Sequence, residues 1–505
     1  MKNFTKKYFA YRCFINLFYT LFVLFLFVSS IFEAFLEKTD GDNVVIESRY
    51  LLYVVIGYVV LYAIITIFSY LYYKLSGYEI NDKQVIVKRG VLFKRKTVID
   101  LENVHSVNSK QGIIQKLFKI STLLIDSGST NTSHQAEASI IEDENVVNEL
   151  IDVLKGKKRV ESSNSTSYLE NEHSENNSLY NFTSKRKAIY GLIYGTIFAL
   201  ILFFSIAFTM ILSYVLSNLS SEPIGFGEIA FVLIICSIIL IIGSYVIAFA
   251  YSFIRYYGFK LYKENDSLII EYGLLVKVKN TMKLNRIKAI KVERGLLERM
   301  FKYATIKLEV IGYIESSNNG NGNQATIGVL VPLCKESEVN SIIESVSPSY
   351  VPKAQQGKAK SFISYFTWTN IILLFALIIP YLFGVMVLLN YNLINDLWII
   401  SSIVGVTYLL VNIIVLFVSL FDRNNQDIII DDNRLIIYHG GIIRRTTIIQ
   451  RHNVIAIEDV TTKWRKEKGI FSYRIHIRTN NMTNVIHVNF IDEQKKDELL
   501  NLLIF

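Results

Sequence analysis

Six long apolar segments constrain this chain more than any other feature of its sequence. A helix needs about 20 apolar residues to cross a hydrocarbon core of about 30 Å, because its backbone polar groups must be satisfied internally. Hydrophobic residues make up 51% of the 505 residues and charged residues 19%, below the roughly 25% of soluble domains. The sequence therefore predicts an integral membrane protein with spans at residues 8–35, 50–73, 188–216, 229–254, 362–389 and 397–421.

The distribution of charge predicts how these spans are oriented. Short connections join the spans in pairs, and two of the three connections, residues 217–228 and 390–396, contain no lysine or arginine. Basic residues cluster instead on the outer flanks, at Lys6, Lys7, Arg12, Lys74, Lys185, Arg186, Lys187, Arg255, Lys260, Lys358, Lys360 and Arg423. Positive flanks stay inside, so we expect three hairpins in the cell membrane, with both termini and the three large soluble segments in the cytoplasm.

The first span could also be the apolar region of a signal peptide, because Lys2, Lys6 and Lys7 precede it. Its apolar run is too long for that, and no small-residue cleavage site follows it. We therefore expect the segment to be retained as a membrane anchor.

An internal repeat links the three soluble segments. The motif Gly90-Val-Leu-Phe-Lys94 aligns without gaps with Gly273-Leu-Leu-Val-Lys277 and Gly440-Gly-Ile-Ile-Arg444, and the same frame aligns Val107, Ile290 and Ile457. Further along, Gly112-Ile-Ile-Gln-Lys-Leu-Phe-Lys119 matches Gly295-Leu-Leu-Glu-Arg-Met-Phe-Lys302. The third copy differs here, reading Thr462-Lys-Trp-Arg-Lys-Glu-Lys-Gly469, and this predicts a more basic surface.

Each soluble copy begins with short β-rich runs broken by turn residues and closes with a helical pattern of apolar residues. This predicts a small antiparallel sheet with one C-terminal helix per copy. Between the copies, the stretch from residue 155 to 187 is rich in serine, asparagine and glutamate and predicts disorder. The predicted units are hairpins at 1–76, 188–256 and 362–421, soluble domains at 77–156, 257–347 and 422–505, and linkers at 157–187 and 348–361.

These motifs resemble those of bacterial pleckstrin-homology-like (PH-like) proteins of the second class, formerly a domain of unknown function, in their multi-copy membrane-bound form. The turn glycine, the basic strand and the Gly112 segment carry the resemblance, which covers nearly the whole chain. Where members often have a glycine after Leu-Phe, this chain has Lys119 and Lys302, with Gly469 in the third copy. The resemblance implies partly open β-barrels plugged by the C-terminal helix, a smaller single-domain membrane partner, and for some members a role in tolerance to bacteriocins.

Catalytic and metal chemistry are disfavoured by the sequence. The seven histidines show neither HExxH nor Cys/His ligand spacing, and no nucleic-acid module is readable despite a net charge of +9. We therefore expect no enzyme activity, no cofactor, no metal site and no nucleic-acid partner.

Basic clusters are the candidates for contact with anionic lipid or with a protein partner, and the same residues could instead form a solvated strand face. We predict a scaffold that binds the inner leaflet, a smaller PH-like protein, or both. The alternative is a component of a peptide or lipid export complex. The candidate contact residues are Lys94, Arg95, Lys96, Lys277, Lys279, Arg444, Arg445, Trp464, Arg465 and Lys466.

Overall fold

The computed structural model describes much of the first two copies and the sheets of the third. The described residues are 1–36, 48–81, 83–104, 106–127, 138–154, 178–219, 226–310, 327–352, 413, 425–431, 433–467, 469–477, 484–493, 495–496 and 498–499. The predicted third hairpin, residues 362–421, lies outside them except for position 413.

The helices of the described residues include long apolar rods and short amphipathic segments. They are α1 (Lys6–Leu36), α2 (Ser48–Leu75), α3 (Ile113–Leu117), α4 (Glu144–Leu154), α5 (Ser184–Leu219), α6 (Phe226–Arg255), α7 (Leu296–Met300), α8 (Val339–Val346) and α9 (Lys463–Glu467).

The strands fall into the three copies of the repeat. The first copy has β1 (Lys2–Asn3), β2 (Gly77–Ile80), β3 (Gln84–Arg89), β4 (Arg95–Asp100), β5 (Ser106–Gln111), β6 (Ile120–Asp126) and β7 (Ala138–Asp143). The second copy has β8 (Ser178–Asn181), β9 (Lys260–Glu264), β10 (Ser267–Tyr272), β11 (Lys277–Lys283), β12 (Ile287–Arg294), β13 (Tyr303–Val310) and β14 (Ile327–Lys335). The third has β15 (Asp427–Asp431), β16 (Arg434–His439), β17 (Arg444–Gln450), β18 (Val454–Val460), β19 (Ile470–Ile477) and β20 (Asn484–Asp492).

Three described helices are long and apolar enough to cross a membrane, at Lys6–Phe25, Tyr53–Leu75 and Ile235–Arg255. Helix α1 contacts α2, where Asn16 Nδ2 donates to Ser69 Oγ at 2.7 Å. Helices α5 and α6 pack antiparallel, since Ser252 Oγ donates to the Lys187 carbonyl at 2.7 Å and Thr196 lies 3.2 Å from the Tyr245 hydroxyl. The chain is thus a membrane protein with several sheets, and the count of six spans stays a prediction.

The sheets do not follow the predicted division into one sheet per copy. Each copy forms two three-stranded meanders, and the second meander of one copy continues into the first meander of the next. The second sheet has the order β7-β6-β5-β11-β10-β9-β8, and the third has the order β14-β13-β12-β17-β16-β15. Antiparallel pairs β5–β11 and β12–β17 therefore join consecutive copies by backbone hydrogen bonds.

Within each copy the two meanders enclose one apolar core. In the first copy, Val85 and Ile99 of the first meander share a core with Leu123 and Ile140 of the second, and Ile151 of α4 packs into the same core. Helix α8 supplies Val339, Ile342, Ile343 and Val346 to the equivalent core of the second copy. The predicted closing helices of these two copies are confirmed, while the third closing helix lies mostly outside the described residues.

Short strands that precede the hairpins close one edge of the first two copies. Strand β1 pairs with β2, and β8 pairs with β9. The predicted disordered linker at 157–187 is therefore wrong for its last ten residues, since Ser178–Asn181 is β8 and α5 begins at Ser184. Burial of Tyr180 and Phe182 among Tyr190 and Phe259 offsets the polar composition that predicted disorder.

A left-handed backbone position follows the short helix of every copy. Lys119, Lys302 and Gly469 occupy the same repeat position and have φ of 54°, 57° and 64°. A side chain at such a φ costs on the order of 1 kcal/mol, so only the third copy has the favoured residue. Glycine at position 469 therefore relieves in the third copy a backbone cost that Lys119 and Lys302 retain in the first two.

We expect Lys302→Gly to raise the free energy of unfolding by a few tenths to about 1 kcal/mol, because relief of strain exceeds the added flexibility of the unfolded chain. Gly469→Ala should lower it by about 1 kcal/mol, since no atom lies closer than 3.5 Å to the added Cβ and only the φ is unfavourable. Thermal unfolding in mild detergent measures both. Lys302→Ala is the matched control, and a gain equal to that of Lys302→Gly would contradict the explanation.

Candidate membrane-contact site

The turn between the second and third strands of the first meander in each copy exposes apolar side chains at its tip. Leu92 and Phe93 are 78% and 91% exposed, Leu275 and Val276 are 41% and 37% exposed, and the equivalent side chains of the third copy are also exposed. Basic residues Lys94, Lys277 or Arg444 follow each tip directly. An apolar tip beside a cation suits the boundary between lipid tails and anionic headgroups.

A glycine makes each of these turns. Gly90, Gly273 and Gly440 have φ of 108°, 109° and 94°. A Cβ added at Gly90 or Gly273 would lie 1.9 Å from the carbonyl oxygen three residues on. No other residue fits this turn, so the glycine fixes the direction in which the apolar tip points.

The turn of the second copy lies against the end of a candidate membrane span. The backbone N–H of Leu274 donates to the Ile254 carbonyl at 3.0 Å, and that of Gly273 donates to the Tyr257 carbonyl at 2.8 Å. Ile254 belongs to the apolar segment Ile235–Arg255 of α6. The exposed tip is thereby held where this helix would leave a bilayer.

The short helix of the first copy lies beside another candidate span. Phe118, at the end of α3, packs edge-on against Tyr11 and Phe14 of α1, with ring centroids 6.2 and 6.0 Å apart. Both partners belong to the apolar segment Lys6–Phe25. On the same short helix Ile113 and Leu117 are 57% and 73% exposed.

A side chain that sequence reasoning missed anchors the short helix in each of the first two copies. Gln115 accepts a hydrogen bond from the Gly112 N–H at 2.9 Å and donates to Thr122 at 2.9 Å. Glu298 repeats this in the second copy, accepting from the Gly295 N–H at 2.7 Å and from Thr305 at 2.9 Å, and burial raises its pKa. The sequence pattern that indicates this contact is a glycine followed three residues later by Gln or Glu, a spacing typical of helix starts.

The turn of one copy and the short helix of the preceding copy are brought together at each junction. Lys277 lies opposite Gln111, two positions before the start of α3, and Arg444 lies opposite Arg294, two positions before the start of α7. At the second junction Arg299 of α7 donates to the Ile442 carbonyl at 3.2 Å. We call the three turns, α3 and α7 together the interfacial surface.

The structure divides the predicted contact residues into two groups, and those of the first group form ion pairs within the chain. Lys279 pairs with Glu271 at 2.7 Å, Lys277 lies 3.5 Å from Glu144, and Arg445 lies 3.3 Å from Glu293.

The remaining candidates lie on the first turn, on the short helix of the third copy and beside a cavity. Within the described residues Lys94, Arg95 and Lys96 form no ion pair and are exposed. Trp464, Arg465 and Lys466 lie on α9, which takes the place of α3 and α7 in the third copy. Arg444 lines a cavity of about 340 Å³ between the second and third copies, together with Arg294 and Glu336, which themselves pair at 3.0 Å.

A buried charge network on the third sheet was also missed by sequence reasoning. Lys291 and Glu309, only 9% and 1% exposed at their side chains, form an ion pair, and Glu293 beside them pairs with Lys307 at 2.7 Å. Burial and the nearby cations Lys291 and Arg445 lower the pKa of His439 to about 3, so this histidine is neutral at neutral pH. The network crosses the second junction, since Glu293 lies opposite Arg445.

Among the described residues no group of three or more His, Cys, Asp or Glu side chains could hold a metal ion. Of the three cysteines, Cys334 is buried, and burial raises the pKa of its thiol to about 12.

Comparison with known proteins gives two matches. Residues 23–158 and 197–349 match the family described as Bacterial PH domain. A curated relative, the UPF0699 transmembrane protein YdbT of Bacillus subtilis (strain 168), is 22% identical over 282 residues, covering 54% of this chain. The chain spans 56% of the length of that relative. No solved structure matches.

Proposed function

This chain belongs to the bacterial PH domain family, and on that premise we propose that it is a non-enzymatic scaffold of the bacterial cell membrane. Its PH-like domains contact the cytoplasmic leaflet through the interfacial surface, and both termini face the cytoplasm. Six spans in three hairpins tether the three domains.

The observation that carries this proposal is the position of the exposed apolar tips. A solvated strand face would present polar side chains, whereas Leu92, Phe93 and Leu117 are exposed beside Lys94 and Lys116. The hydrogen bond from Leu274 to Ile254 and the packing of Phe118 on Phe14 support a location at the bilayer boundary. Insertion of such tips removes apolar area from water, and adjacent cations add about 1 kcal/mol each near an anionic surface.

We expect an environment-sensitive fluorophore at residue 93 to report lipid contact in nanodiscs. Phe93→Cys would be labelled in the full chain carrying Cys13→Ser and Cys236→Ser, since Cys334 is fully buried. Emission should shift to the blue and be quenched by brominated lipid, more strongly in discs containing phosphatidylglycerol than in phosphatidylcholine alone. Replacing Lys94, Arg95 and Lys96 by glutamine should lower the equilibrium constant for contact between this turn and the membrane by roughly 100-fold, because about 3 kcal/mol of attraction is lost.

The control label is Glu102→Cys, an exposed position beyond the opposite end of β4. It should show neither shift nor quenching. Two results would contradict the lipid-contact proposal. One is an equal emission shift and quenching at positions 93 and 102, and the other is emission at position 93 that changes neither with lipid charge nor with brominated lipid.

We extend the proposal to a second partner, a smaller single-domain PH-like membrane protein, and to a role in tolerance of membrane-active peptides such as bacteriocins. The resemblance to the family supports this extension. Proteins that co-purify with the chain in mild detergent test it, and recovery of no small PH-like protein would remove this partner.

A further inference from the structure

Within the described residues two strand edges are unpaired, although the equivalent edges of other copies are paired. Strand β4 of the first copy corresponds to β11 and β17, each of which accepts a strand from the preceding copy. Strand β18 of the third copy corresponds to β5 and β12, each of which pairs with the following copy. Within the described residues β4 pairs only with β3, and β18 only with β19.

The two internal junctions have the same register. Thr281 of β11 lies opposite Val107 of β5, and Ile448 of β17 lies opposite Ile290 of β12. Thr281 and Ile448 occupy one position of the repeat, and Val107 and Ile290 occupy another. One interface is therefore built twice, with different side chains but identical alignment of the strands.

Burial shows what the unpaired edges lack. Thr281 and Ile448 are 5% and 0% exposed, whereas Val98 at the same position of β4 is 46% exposed. Lys291 of β12 is buried, whereas its counterpart Glu458 on β18 is exposed. The turn tips follow the same trend, since Leu92 and Phe93 are about twice as exposed as Leu275 and Val276.

We propose that a second copy of this chain pairs its β18 with β4 in the register of the internal junctions, so that chains associate head to tail. This goes beyond the proposed function, since it concerns contacts between chains and requires neither lipid nor a smaller partner. In that register Val98 lies opposite Ile457, Thr97 opposite Glu458, and Lys96 opposite Asp459. Helix α9 of one chain then lies beside the Leu92–Phe93 tip of the next.

Charge complementarity favours a second copy as the occupant. Strand β4 and its preceding turn carry Lys94, Arg95 and Lys96. Strand β18 carries Glu458 and Asp459, whose side chains stay 51% and 46% exposed although they pair within the chain with Arg474 at 3.8 Å and with Lys496 at 2.9 Å. The internal junctions place opposite charges across the same seam, as in the pair of Arg445 with Glu293 at 3.3 Å. An exposed edge strand readily accepts another strand, and opposite charges select the correct one. Because the two contacting surfaces differ, the interface is heterologous. It repeats from chain to chain until the assembly closes into a ring.

A charge exchange in the purified full chain tests the pairing. In mild detergent, in the absence of any other protein, mass photometry should show concentration-dependent dimers and larger species. Lys96→Glu and Asp459→Lys should each weaken association by roughly tenfold, because like charges then face each other, and the double variant should restore it. Lys83→Glu makes the same change of charge at an exposed position away from the β4 edge and should have no effect.

Disulfide trapping tests the register. Facing residues of antiparallel strands have Cα atoms about 4.5–5.5 Å apart, within reach of a disulfide. In the background with Cys13→Ser and Cys236→Ser, Thr97→Cys with Glu458→Cys should cross-link between chains. Thr97→Cys with Val460→Cys is out of register by two residues and should not.

Three results would overturn the proposal: a wild-type chain that stays monomeric at all concentrations, equal cross-linking of both cysteine pairs, or a cross-link found only within one chain. Failure of lipid docking in the nanodisc experiment leaves these outcomes unchanged, so the two proposals fail separately.

Discussion

Replacing Glu309 by leucine should lower the free energy of unfolding by roughly 3–5 kcal/mol, because the change leaves the Lys291 ammonium buried without its partner. Glu309 is 1% exposed and lies on β13, and Lys291 lies on β12 at the junction with the third copy. The loss should appear as a fall in the thermal unfolding midpoint of the full chain in detergent, at about 2–4 °C per kcal/mol.

A double replacement separates the ion pair from simple packing. Lys291→Met with Glu309→Leu removes both charges and keeps much of the volume, so most of the lost stability should return. The matched control is the partly exposed pair of Lys279 with Glu271, where Glu271→Leu should cost no more than about 1 kcal/mol. If the double variant at the buried site were no more stable than Glu309→Leu alone, the loss would not come from an isolated charge.

Gly273→Ala should lower the free energy of unfolding by roughly 3 kcal/mol, through a disfavoured φ and a clash that the turn cannot relieve locally. Its φ is 109°, and an added Cβ would lie 1.9 Å from the Val276 carbonyl oxygen. The same change should also turn the apolar tip away from α6, since the Gly273 and Leu274 N–H groups donate to the end of that helix. Thermal unfolding measures the first effect and a fluorophore on the tip measures the second.

Gly258→Ala is the control for the clash. Gly258 also has a positive φ, at 60°, but no atom lies within 4 Å of its added Cβ. Its cost should stay near 1 kcal/mol. Equal losses at Gly258 and Gly273 would show that backbone preference alone, and not the tight turn, accounts for the glycine of the motif.

The sequence was informative wherever one residue pattern maps onto one local structure. The glycine of the Gly90 motif predicted a turn, and the turn has the positive φ that requires glycine. The alternating and apolar runs predicted strands, and the apolar spacing of Val339, Ile342, Ile343 and Val346 predicted the closing helix α8. The basic residues after each turn were also found, although their apolar neighbours Leu92 and Phe93 were not recognised as exposed.

The candidate site was only half predicted because exposure depends on what packs above a residue. Leu92 and Ile99 are both apolar and lie seven positions apart, yet one is 78% exposed and the other 3%. The anchoring role of Gln115 depends on Thr122 of the next strand, a contact that a single pattern of apolar residues does not reveal. Asp459 and Lys96 are ordinary surface charges in the sequence, and only the sheet order of the described part of the chain places their strands at edges.

By itself the sequence determined that this is a membrane protein with a repeated β-rich unit, because hydropathy, turn glycines and repeat spacing are properties of local segments. Only the tertiary structure decided that the sheets run across the repeats, joining β5 to β11 and β12 to β17. The physical reason lies in the backbone: any strand edge can donate and accept the same hydrogen bonds, so side-chain patterns do not state which copy supplies the neighbour. Packing of the cores and burial of side chains such as Thr281 and Ile448 select that neighbour.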